Sequence, residues 1–136
     1  EPDEELSPLW KDVFLFHWKE ESQHAIMDEM EWLREDAKLT PEARDRAVDD
    51  LIGLVGAVDG ILRAQAKSDT DYFLISAGGT FTSEQAQQIH DTVLKAYRWQ
   101  YIVSGVQEPR FLEVLGSMIT AGQGARINAA LAPIVQ

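Results

Sequence analysis

The chain has 136 residues, no Cys, and 12 basic against 23 acidic side chains, a formal net charge of −11. That length fits one domain, 1–136, able to bury a core without disulfides or a structural metal, and a hydrophobic content of 45% excludes a disordered chain. The acidity argues against nucleic acid and against an anionic membrane surface, both of which select basic patches, and the absent Cys excludes thiolate zinc sites and a cysteine nucleophile.

No apolar run approaches the roughly 18 residues that span a bilayer. The N-terminal Glu1-Pro2-Asp3-Glu4-Glu5 has neither the basic nor the apolar region of a signal peptide. Together these read as a cytoplasmic chain. The absent initiator Met fits the C-terminal portion of a longer protein.

The punctuation is helical from end to end. Ser7-Pro8 is an N-cap followed by Pro at the first helical position, and Thr40-Pro41-Glu42 repeats it. Thr82-Ser83-Glu84-Gln85 carries a capping box, and Thr120-Ala121-Gly122-Gln123 has the same form. Gln107-Glu108-Pro109 marks a break; Gly78-Gly79 and Gly105 fall where helices should end. No run alternates with β-branched enrichment, so no sheet is expected. These signals predict helices at about 8–36, 41–76, 82–104, 109–118 and 121–134, with a break in the second near Ser68-Asp69-Thr70-Asp71. Long helices with short connections favour antiparallel neighbours in a bundle. Gly53, Gly56 and Gly60 fall on one side of the second helix, a small face expected to admit another helix in close packing.

The first helix carries the sharpest signal. At about 100° per residue, His17, Glu21, His24 and Asp28 lie within roughly 60° of one another. Trp10 and Phe14 continue that stripe in one direction, Glu31 and Glu35 in the other. Leu15, Phe16, Trp18, Ile26, Met27, Met30 and Leu33 occupy much of the remaining circumference, the composition of a central helix. A polar stripe on such a helix needs partners, and a metal ion would satisfy it. Glu21 and His24, at i and i+3, point the same way and suit iron or manganese. Glu20 and Asp28 are placed to support the imidazole as second acceptors or further ligands.

The segment Glu20-Glu21-Ser22-Gln23-His24-Ala25 resembles the Glu-Glu-x-x-His-Ala element of ferritin-like and rubrerythrin-like proteins. The resemblance covers about six residues. It implies an all-α, ferritin-like antiparallel bundle, a dinuclear iron or manganese centre, and an oxidoreductase that activates O₂ or peroxide on a small-molecule substrate. It makes Glu21 the bridging carboxylate and His24 the nitrogen ligand, with His17, Glu20, Asp28 and, from the second helix, Asp59 as further candidates. The pattern departs from the family in one respect. A complete centre needs two Glu-x-x-His elements and two further Glu, yet His90 is preceded at the required spacing by Gln87. The other half is then supplied by a segment upstream of Glu1 or by a second chain in a homodimer, or the site has decayed.

The rival reading is a non-catalytic scaffold or oligomerisation module of the same ancestry, with the acids of the first helix as a solvated face. Asp59 is then a boundary acid paired with Arg63 one turn on, or with Arg98; His90 and Asp91 are a surface pair. Tyr97, Trp99 and Tyr101 read as core and interface rings whose polar tips find partners. A third reading is an apolar-ligand pocket lined by Trp10, Phe14, Trp18 and Trp32.

Overall fold

The computed structural model describes residues 6–135; the acidic run at 1–5, expected not to be a signal peptide, lies outside them. Five helices and no strand account for the described residues, so the protein is all-α. The chain divides into two compact units, 1–39 and 40–136.

The first unit is a single helix, α1 (Pro8–Asp36). Ser7 caps it by accepting the Trp10 N–H at 3.2 Å, which satisfies one of the donors that a helix start leaves without an intrahelical partner. Its last turn carries Arg34 paired with Glu31 and Glu35, and Lys38 paired with Glu35. No side chain of α1 is buried. Trp10, Phe14, Phe16, Trp18, Ile26, Met27 and Met30 all face water. Apolar residues are spread around the circumference, and a single helix has nothing within its own unit to bury them against.

The second unit begins with α2 (Pro41–Ser76), capped by the Thr40 hydroxyl. The break expected near residues 68–71 does not occur. The polar residues there are satisfied along the helix itself: the Thr70 hydroxyl donates to the Ala66 carbonyl at 2.7 Å, Gln65 reaches Asp69 at 2.9 Å and Lys67 reaches Asp71 at 2.6 Å. After Ala77 the chain turns at Gly78, whose φ of +62° is the left-handed value that lets the chain leave a helix.

The third helix, α3, spans 83–106 and opens on the Thr82–Gln85 capping box. Its α-helical part, Ser83–Arg98, runs into a π-helical turn, Trp99–Val103, and resumes at Ser104–Val106. The wide turn inserts one residue, rotating the last part of the helix by about 100°. Adjacent residues Ile102 and Val103 are thereby both buried. Contacts between α2 and α3 climb one helix as they descend the other: Phe73 meets Phe81 just ahead of α3, Asp69 meets Tyr97 and Asp59 meets Arg98, so the two are antiparallel. Leu62 and Ala66 of α2 pack with Leu94 and Ile102 of α3 to form the core. Burial of each large member contributes about 1.5–3 kcal/mol.

Two short helices complete the unit, α4 (Pro109–Met118) and α5 (Ala121–Leu131). The Glu108 carboxylate caps α4 by accepting the Phe111 N–H at 2.8 Å. The second capping box, Thr120 with Gln123, opens α5. Buried Gln123 also donates to Asp45 at 3.1 Å, and Arg126 pairs with Asp45 and Asp49, tying α5 to α2. Among the described residues no helix is long and apolar enough to cross a membrane.

The glycine face of α2 differs from expectation. A Cβ built on Gly53, Gly56 or Gly60 meets nothing within 4 Å. No element of this unit approaches closely there, so these residues cost about 1 kcal/mol of helix propensity each relative to Ala without a tight contact in return.

Candidate functional site

The stripe read from the sequence exists as a line of side chains on α1. The Glu21 carboxylate sits between two imidazoles, one oxygen 3.6 Å from His17 Nε2 and the other 3.4 Å from His24 Nδ1. The three side chains are 55%, 62% and 53% exposed respectively. Trp10 and Phe14 stack one turn further up, ring centroids 3.9 Å apart. Glu20 and Asp28 are exposed on the same helix.

The spacing of these donors can be compared with that around an ion. Two ligands at about 2.1 Å from one metal lie roughly 3–3.5 Å apart, close to the spacing of Glu21 from either imidazole. The pairings therefore suit a shared ion. The set does not: His17 and His24 stand on opposite sides of Glu21, and no group of three His, Asp or Glu side chains able to hold a metal is found among the described residues. The stripe of one chain falls short of the donor set that a dinuclear centre needs.

Asp59 belongs to the other unit and has a different environment. It is 6% exposed and lies between two guanidinium groups. Arg98 donates Nε to one oxygen at 2.6 Å and Nη2 to the other at 3.0 Å; Arg63 donates Nε at 2.7 Å. Both oxygens are thus engaged, and the Arg98 hydrogen bonds, with Arg63 in support, hold the carboxyl below the ordinary Asp value against the opposing effect of burial. Positive charge that a metal would supply is already in place.

A second polar link joins the same helices. The Tyr97 hydroxyl donates to Asp69, which Gln65 also reaches. The bond holds Asp69 below the ordinary Asp value and pushes Tyr97 above the ordinary Tyr value. Tyr97 and Tyr101 meet edge to face at 6.3 Å, while Tyr101 and Trp99 remain exposed. His90 is a boundary residue paired with Asp91 at 3.1 Å.

Sequence reasoning missed a cavity of about 400 Å³ in the second unit, where α2, α4 and α5 meet the end of α3. Its only advance signal was Gly56, one of the three glycines noted on the second helix. Comparison with family models, with curated proteins and with solved structures gives no match. The architecture stands as an all-helical chain of five helices, without assignment to a bundle type.

Proposed function

We propose that α1 is an assembly helix that pairs with a second copy of the chain and, in doing so, completes a ferritin-like iron or manganese site. The observation that carries this is the Glu21 carboxylate between His17 and His24 on a helix with no buried residue. Exposed Leu, Ile, Met and Phe side chains each forfeit about 1.5–3 kcal/mol of burial, and α1 carries many of them. Such a helix is stabilised by covering it.

The spacing of the stripe supports a partner of the same kind. Trp10, Phe14, His17, Glu21, His24, Asp28, Glu31 and Glu35 alternate at intervals of four and three, the spacing of a two-helix seam, with Trp10 and Phe14 as its apolar members and metal-ligating side chain types at the remaining positions. About a two-fold axis between positions 22 and 23, an antiparallel copy sets His17 opposite Asp28 and Glu21 opposite His24. Each imidazole then faces a carboxylate. The pair of chains contributes two Glu-x-x-His elements and two further carboxylates from Asp28, the donor count that the resemblance requires. When bound, the metal would supply O₂ or peroxide activation, making the assembly an oxidoreductase. The protein's own residues would provide the donors: Glu21 and His24 from each copy, with His17 and Asp28 beside them.

A second reading, the non-catalytic scaffold, is favoured by the solvent exposure of His17, Glu21 and His24, each more than half open to water. Both readings require association, and one experiment tests it. The chain has no native Cys, so Phe14→Cys combined with Glu31→Cys reports register directly. The expected product of oxidation is an interchain disulfide joining position 14 of one copy to position 31 of the other. Only 14-to-14 and 31-to-31 links, or no link from a chain that sediments as a monomer, would overturn the antiparallel pairing.

A further inference from the structure

We infer that the cavity between α2, α4 and α5 is a binding site for a small, neutral, apolar molecule with one hydrogen-bonding group. All of its lining belongs to residues 51–134 of the second unit. Its volume of about 400 Å³ falls in the range of small-molecule sites.

The walls define the chemistry. Val55, Phe111, Leu115 and Ile127 are typical of the lining, and no charged side chain contributes to it. A carboxylate, phosphate or ammonium would lose its hydration without a counter-charge. The one side-chain amide is that of Asn128, an exposed residue that both donates and accepts. It suits an alcohol, ketone or amide oxygen at the mouth.

The glycines argue that the space is kept open. Gly56, Gly116 and Gly124 line the cavity from three different helices, where Gly weakens a helix relative to Ala. None has a positive φ, so none is needed for the backbone. A Cβ on Gly56 or Gly116 meets nothing within 4 Å, and one on Gly124 makes an ordinary contact, 3.7 Å from Ile119. Neither conformation nor close packing accounts for them. Larger residues would fit at the cost of the cavity itself. A partner helix is a poorer occupant, because a few of its turns displace several times this volume.

The probe is the neutral dye N-phenylnaphthylamine, titrated against the whole chain and followed by fluorescence enhancement. The expected result is saturable one-to-one binding, competed by a medium-chain alcohol and not by the matching fatty acid anion. Gly56→Leu and Gly116→Leu should each weaken binding at least tenfold. Gly53→Leu, on the same helix but outside the lining, should leave it unchanged. Circular dichroism melts establish that each variant is folded; should one Leu variant fail to fold, the other carries the test. Non-saturable binding, equal binding in the Gly116→Leu variant, or binding that disappears as the protein associates at high concentration would overturn the proposal; the last result would assign the cavity to a second copy.

Discussion

The Asp59 cluster gives the most quantitative expectation. The Asp59 side chain is 9% exposed, Arg98 17% and Arg63 58%. The Arg63 contact is therefore close to a surface pair, worth about 0–1 kcal/mol. The Arg98 contact is bidentate and largely dry. Removing one partner of such a pair strands the other charge, at about 3–5 kcal/mol when burial is complete. Because Arg98 retains some access to water, Asp59→Leu should cost about 3 kcal/mol, the low end of that range. Asp59→Asn keeps the shape and loses the charge, at about 2 kcal/mol. Arg98→Met in the Asp59→Leu background should recover much of the loss, since two apolar groups replace the pair. The assay is urea unfolding followed by far-UV circular dichroism on the four chains of this double-mutant cycle. The carboxyl titrates below its ordinary value through the Arg98 hydrogen bonds. The unfolded chain thus binds the proton first, and the stabilisation present above about pH 4 is lost as pH falls through the folded value. Asp59→Asn should flatten that acid limb. A loss under about 1 kcal/mol for Asp59→Leu, with no coupling to Arg98, would refute the argument that this pair orders the α2–α3 interface.

Other expectations rest on single positions. Gly53→Ala should stabilise the second unit by about 0.5–1 kcal/mol in chemical denaturation, because the new methyl meets nothing within 4 Å and the unfolded chain loses freedom. Gly78→Ala should destabilise by about 1 kcal/mol, with Gly78→Asn milder, since φ is +62° there. Ultraviolet difference titration should reveal a tyrosine that ionises above the ordinary value, absent in Tyr97→Phe, because hydrogen bonding to Asp69 favours the neutral phenol. The Tyr97 bond stabilises the fold below the ordinary Tyr value, and its contribution fades as pH rises through the raised one.

The helix ends were legible because caps are local chemistry. Ser7, Thr40, Thr82 and Thr120 all cap the helices they were expected to start. Asp59 was legible as an acid in an apolar segment with Arg63 one turn away and Arg98 in reach. Three features were not. The π turn at Trp99–Val103 has no side-chain signature; tertiary packing of Ile102 and Val103 selects it. The polar residues around Asp69 looked like a break because their helix-internal partners, Gln65, Lys67 and Ala66, lie a turn away in sequence. The apolar girth of α1 states only that the helix prefers to be covered, and composition does not say by what. The stripe was legible in its geometry, since Glu21 stands between His17 and His24 as their spacing predicts.

The central claim is that Glu21 and His24 ligate metal once two copies meet. Its direct test is elemental analysis of protein loaded anaerobically with Fe(II) or Mn(II), gel-filtered, and compared with Glu21→Ala/His24→Ala. The account predicts about one ion per chain, carried by a dimer and lost in the double variant. A parent chain that emerges without metal, or a double variant that retains it in full, would contradict it.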